Sequence, residues 1–173
     1  MNYRPLTDVW ILARPKVAYY GAYPAGFLHR ARALLGVTLN DSVLHVCSGR
    51  VRDYPYRGMG PNDCTLDIDE QLQPDIVHDV RTPLPHRGLW KAVLTDPPYT
   101  ADDAAHYAGG AEVFPSASLV LQRCCDVVAK GGRVGILHYE WPSPPKDWNE
   151  VAVVAVGCGR RQRARWYTVW EQV

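Results

Sequence analysis

The residues best suited to chemistry stand together as Asp96-Pro97-Pro98-Tyr99, at the end of the apolar run Ala92-Val93-Leu94-Thr95. Such a run reads as a buried strand. Two successive prolines end it, because neither donates a hydrogen bond to a sheet ladder. An acid, a stiff turn and an aromatic ring are thereby gathered where a strand leaves its sheet. In open α/β folds that edge is where ligands bind. Other acids close other short apolar segments: Asp67 and Asp69 in Thr65-Leu66-Asp67-Ile68-Asp69, and Asp79 followed by Val80 at the end of residues 75–80. A further segment, His45-Val46-Cys47, runs into the turn Ser48-Gly49, where glycine lets backbone approach a ligand closely. Each acid alone also fits a solvated turn, but acids at successive strand ends are hard to produce by chance.

The elements that must position these residues follow from apolar runs and breakers. Residues 1–24 are rich in proline and tyrosine and read as an irregular lead-in with at most one piece of strand. Residues 25–36 have helical periodicity and end in glycine, a helix-stop signal. Strands are expected over residues 42–47, 64–68, 75–80 and 91–95, with a loop over 50–62, where Pro55, Gly58, Gly60 and Pro61 forbid a long helix. Residues 116–129 read as a helix closed by Lys130-Gly131-Gly132, and 133–138 as the next strand. Residues 151–156 and 166–170 form two strands joined by a turn, a hairpin. Strands alternating with helices imply a mostly parallel sheet, here seven-stranded and ending in an antiparallel hairpin, in one domain spanning residues 1–173.

Asp96-Pro97-Pro98-Tyr99 resembles the catalytic motif of the S-adenosylmethionine-dependent amino-methyltransferases, which methylate exocyclic or amide nitrogens. That family includes DNA adenine-N6 and cytosine-N4 enzymes, some RNA enzymes and enzymes of protein glutamine. The resemblance covers nearly the whole chain and implies a Rossmann-like class I methyltransferase fold. It implies that Asp96 and the Pro97 carbonyl accept the two N–H bonds of the target amine and localise its lone pair. Pro98 would stiffen the turn and Tyr99 would stack on the flat target. Cys47-Ser48-Gly49 resembles the first cofactor motif, with one glycine where two or three are usual and no long helix after it. Asp67, with Ile68 beside it and Asp69 as second choice, resembles the acid that accepts the ribose hydroxyls of S-adenosyl-L-methionine. Asp79 and Val80 resemble the pair that meets the adenine of the cofactor. Tyr23-Pro24-Ala25-Gly26-Phe27 resembles the motif that cups its methionine end, with Phe27 equally readable as core. Asp96 would also touch the cofactor.

Because aspartate rather than serine begins the catalytic motif, the resemblance points first to adenine N6 in DNA, flipped out of any duplex. The same chemistry on RNA or a protein amide is an alternative, as is a non-catalytic cofactor-binding subunit of a larger methyltransferase. Arg160, Arg161, Arg163 and Arg165 cluster in the hairpin turn and could hold phosphates of a nucleic-acid substrate; a solubilising charged turn is the equal alternative. Residues 100–115 would cover the pocket as a lid, with His106 read as a surface histidine before a proton acceptor, and residues 138–142 would offer stacking surface. No target-recognition segment stands out, so recognition is minimal, a protein partner supplies it, or the substrate is not duplex DNA.

The formal net charge is only +1 over 173 residues, so the total gives no support for nucleic-acid binding and the distribution has to carry it. No apolar stretch reaches the length of a membrane span and no signal-peptide pattern opens the chain. The five cysteines show no CxxC spacing, which argues against structural zinc and for reduced thiols in a cytoplasmic protein.

Overall fold

In a computed structural model of the chain, residues 4–17, 19–54, 57–87, 89–107, 110, 112, 114–159 and 163–173 are described. Eight strands form one sheet: β1 (Leu6–Ile11), β2 (Val43–Val46), β3 (Cys64–Asp67), β4 (Ile76–Val77), β5 (Trp90–Thr95), β6 (Val128–His138), β7 (Trp148–Gly157) and β8 (Arg165–Gln172). Their order is β1-β7-β8-β6-β5-β2-β3-β4. Neighbours are parallel except at β8, which runs antiparallel to both β6 and β7. The antiparallel hairpin is therefore present. The expected seven strands are joined by β1, which pairs in parallel with β7 at the sheet edge.

The two faces carry separate apolar layers. Helix α1 (Phe27–Leu35) covers one face and ends at Gly36, whose left-handed φ of 68° closes the helix. Phe27, Ala31 and Leu35 meet Trp10, Leu94, Tyr167 and Val169 there. Helix α3 (Ala117–Cys125) covers the other, capped by Ser116 Oγ, which accepts the Leu119 N–H at 3.3 Å. It packs Val120, Leu121 and Cys124 on Val93, Val134 and Ile136.

α3 ends four residues before the expected boundary at 129. The β-branched pair Val127-Val128 leaves the helix to join the sheet, with the Leu89 N–H donating to Val127 O at 3.2 Å. β6 therefore starts before the glycines, and its register slips between Trp90 and Ala92. Gly132 passes so close to β5 that a Cβ would stand 2.7 Å from the Lys91 carbonyl. β4 is shorter than expected, because Asp75 caps Thr65 instead of pairing and Asp79 starts a turn.

A buried charge network ties α1 to β2 and the loop before β3. Arg32 Nη1 donates to Asp63 Oδ1 and Oδ2 at 2.9 and 2.7 Å, and His45 Nε2 lies 3.1 Å from Asp63 Oδ2. Burial alone would push the Asp63 carboxyl up, but hydrogen bonds from His45, Arg32 and Gly60 hold it below the usual carboxylate range.

Strand register places the chemistry. Val46 pairs with both Leu66 and Thr95, and Thr95 with Ile136. Cys47 and Asp96, which follow β2 and β5, and Asp67, the last residue of β3, therefore stand at one edge of the sheet. β8 runs the other way, so its first residue, Arg165, stands at that same edge opposite Val156.

Candidate active site

After β2 the chain turns through Cys47 (φ 53°) and Gly49 (φ 51°), both in the left-handed region. The Ser48 N–H donates to Leu66 O at 3.1 Å and the Gly49 N–H to Asp67 Oδ2 at 2.8 Å. The turn is thus stitched to the acid at the end of β3. Asp67 Oδ1 also accepts the Asp69 N–H at 3.1 Å. Burial raises the Asp67 carboxyl above its ordinary range, and those N–H groups oppose the rise. Among the described residues a 3₁₀ turn, Val51–Asp53, follows in place of a long helix.

These residues line one cavity at the sheet edge. Tyr23, Cys47, Ser48, Gly49, Asp67, Ile68, Asp79, Val80 and Asp96 all face it. Pro24 and Phe27 do not. Phe27 is fully buried core, stacked on Tyr23 at 4.9 Å and set edge-on to Tyr167 at 5.0 Å. Asp69 is spent as a helix cap, accepting the Gln71 N–H at 2.9 Å. Asp79 is held by Arg81, with Nη2 to Oδ2 at 2.7 Å, and this pairing lowers its carboxyl.

The cavity suits an elongated, partly aromatic ligand bearing hydroxyl and charged groups. Ser48 Oγ is buried, lines the cavity and has no hydrogen-bond partner among the described residues. Gly49 lets the Tyr19 phenol close against the turn, where a Cβ would stand 2.5 Å from the hydroxyl. Tyr19, Tyr23, Tyr54 and Tyr107 wall the rest.

A second cavity adjoins the first, and Asp96 and Pro98 line both. Pro97, Tyr99, Tyr139, Arg163 and Arg165 face only the second. Burial pushes the Asp96 carboxyl up to about 7, while Arg165 and the Tyr99 hydroxyl pull it back. The Tyr99 hydroxyl donates to Asp96 Oδ1 and accepts from Arg165 Nη1 at 3.1 Å. Its ring stands edge-on to His138 at 5.2 Å and tilted on Tyr139 at 4.5 Å. His138 is buried, which lowers its pKa, and its Nδ1 accepts the Glu140 N–H at 2.9 Å. The Asp96–Tyr99 turn is therefore backed by β6 as well as by its own prolines.

The sequence predicts that residues 100–115, Tyr107 among them, cover the pocket, but not that the tyrosines of the lead-in do. Tyr19, Tyr20, Gly21 and Tyr107 line the second cavity too, drawn from the lead-in and from the stretch after the motif. The Tyr20 hydroxyl donates to Asp103 Oδ1 at 2.5 Å, and its ring lies 4.4 Å from that of His106. Asp103 sits in the one-turn helix α2 (Ala101–Ala104), capped by Thr100 Oγ1. Gly21, at φ 80°, makes room for the Tyr107 phenol. A run of tyrosines among breakers was the available signal.

The hairpin arginines divide. Arg160 and Arg161 lie outside the described residues. Arg163 is exposed, with Cζ 5.9 Å from the centre of the Tyr139 ring. Arg165, grouped with them as a phosphate holder, instead turns inward onto Tyr99, because the β7–β8 pairing sets it above the pocket. Among the described residues, no cluster of three His, Cys, Asp or Glu is placed to hold a metal, and no helix is long and apolar enough to cross a membrane. The five cysteines are free thiols.

No family model matches the sequence, and no curated protein matches it. Solved structures do match in shape. TrmN from Thermus thermophilus superposes with a TM-score of 0.63 at 15% identity over 90% of this chain. This chain covers 51% of that protein, about half its length. An S-adenosylmethionine-dependent methyltransferase from Aquifex aeolicus gives a TM-score of 0.55 at 12% identity, covering 85% of this chain and 90% of its own. At such identities the likeness speaks for the fold: the chain has the Rossmann-like fold of the class I methyltransferases.

Proposed function

We propose that this protein is an S-adenosylmethionine-dependent methyltransferase acting on an exocyclic amino group, with adenine N6 in DNA as its target. The observation that carries the reading is the position of Asp96 at the junction of the two cavities. One cavity has the acid, the glycine turn and the unpartnered serine suited to a nucleoside bearing an amino-acid chain. The other has the aromatic walls suited to a flat target.

Asp67 and the turn at Ser48 and Gly49 would hold the cofactor, with Asp79 and Val80 near its base and Tyr23 near its other end. When bound, S-adenosylmethionine supplies an electrophilic methyl group. Asp96 and the Pro97 carbonyl accept the two N–H bonds of the target amine and direct its lone pair toward the first cavity. Tyr99 and Tyr139 offer ring faces to the base. Once the nitrogen is methylated it carries an acidic proton, and a carboxylate whose pKa sits near 7 is suited to take it. Positioning and electrostatics supply most of the acceleration. Aspartate at the head of the motif favours adenine, and the exposed Arg163 at the cavity rim fits a phosphate backbone. Nothing in this scheme needs a metal, and a protein partner would supply sequence recognition.

The test is methyl transfer from labelled S-adenosylmethionine to single-stranded DNA, duplex DNA and RNA, with the product nucleoside identified. Label in N6-methyladenine from DNA, absent with Asp96→Ala, is the expected result. Label in RNA alone would move the substrate. No transfer to any nucleic acid or to protein would remove the enzymatic reading.

A further inference from the structure

Arg165 has a half-buried guanidinium inside the second cavity. Its Nη1 donates to the Tyr99 hydroxyl at 3.1 Å, and its Cζ stands 5.9 Å from the centre of the Tyr99 ring. The Tyr99 hydroxyl in turn donates to Asp96 Oδ1. This is a relay of two hydrogen bonds running from the start of β8 to the end of β5. We propose that Arg165 is a positioning residue, which acts through Tyr99 to hold the Asp96 carboxylate charged and fixed in orientation. The assignment rests on Asp96 being the group that meets the substrate amine.

The geometry separates this role from phosphate binding. Arg163, two residues earlier, is exposed beside Tyr139, whereas Arg165 is committed to a phenol. With Oδ1 engaged by Tyr99, Oδ2 is the oxygen left for an N–H of the substrate. Charge has to be managed here, because a carboxylate sunk in protein is pushed toward its neutral form, and a protonated Asp96 would offer one acceptor fewer to the amine.

The groups facing Asp96 come from several elements: Tyr99 and Asp103 after β5, Arg165 on β8, Cys47 after β2, and Tyr23, Tyr54 and Tyr107 from the loops. Of these Arg165 alone is a cation; Arg163 lines the same cavity but stands exposed beside Tyr139. Asp103 and burial favour the protonated form, while Arg165 and the Tyr99 bond favour the carboxylate.

The test reads Asp96 directly, by carbon-13 NMR titration of its carboxyl group in the full chain, assigned with Asp96→Asn. In Arg165→Met the Asp96 midpoint should move about one pH unit higher, Tyr99→Phe should move it the same way, and Arg165→Lys should restore most of the original value. The acid limb of kcat/KM should move in parallel while the KM for S-adenosylmethionine does not. A midpoint unmoved in both Arg165→Met and Tyr99→Phe would overturn the assignment. If Arg165→Met does not fold, Tyr99→Phe decides. A shifted midpoint in a protein that transfers no methyl group would uphold the relay and sink the transferase reading; transfer with an unmoved midpoint would do the reverse.

Discussion

The Tyr19 hydroxyl fills the space that a β-carbon on Gly49 would need: an ideal Cβ there would stand 2.5 Å from it. The lead-in segment thus closes over the β2 turn because position 49 has no side chain. Gly49→Ala meets that phenol and also places alanine at φ 51°, a conformation costing about 1–2 kcal/mol. Affinity for S-adenosylhomocysteine is expected to fall by about tenfold or more, read by calorimetric titration. Adding Tyr19→Ala should recover only part of it, since the backbone cost remains. Unchanged affinity in the single variant would mean the turn does not touch the ligand.

Much of this arrangement was legible because parallel strands write themselves as short apolar runs, and the residue after each run must appear at one edge. Asp67, Asp79 and Asp96 could be placed that way. What was hidden depended on contacts between distant segments. β1 buries only Trp10 along its length, so no alternating pattern announced it. Phe27 could be core or cofactor wall until α1 was seen facing Tyr167. Arg165 looked like its arginine neighbours until the hairpin register turned it inward. Tyr19 lies in irregular chain, where periodicity carries no information.

Asp96→Asn should cut turnover by about 100- to 1,000-fold while leaving cofactor affinity within a few-fold. It also has a stability signature. The Asp96 carboxyl keeps its proton up to about pH 7 in the folded protein, against 3.8 unfolded. The unfolded chain therefore loses that proton first, and stability falls as pH rises from about 4 to 7. The Asn variant escapes this loss. It should be more stable than wild type at pH 8, by on the order of 4 kcal/mol, and no more stable at pH 4. Urea unfolding at the two pH values measures this; an equal difference at both would contradict a buried, proton-holding Asp96.

The Arg32–Asp63–His45 network lies outside both cavities and should matter for folding rather than chemistry. Asp63→Ala strands Arg32 as a buried, unpaired charge and should cost about 3–5 kcal/mol in denaturant unfolding. Because the Asp63 carboxyl is held below its ordinary range, its contribution is present at neutral pH. It is lost as pH drops below the unfolded carboxylate value of 3.8. A loss under about 1 kcal/mol at pH 7 would show that the pairing merely offsets its own desolvation.

Arg163 and Arg165 should respond differently to salt. Replacing exposed Arg163 with Gln should reduce the slope of log affinity against log salt for a nucleic-acid substrate by about one. Arg165→Gln should leave the slope unchanged. Equal slopes for wild type and Arg163→Gln would remove this residue from the phosphate interface.

The central claim is that the first cavity binds S-adenosylmethionine next to Asp96. Calorimetric titration of the purified protein with S-adenosylmethionine and S-adenosylhomocysteine tests it most directly. Binding at micromolar level, weakened at least about tenfold by Asp67→Ala, is the expected result. No binding of either ligand to a folded protein, or binding indifferent to Asp67, would contradict it.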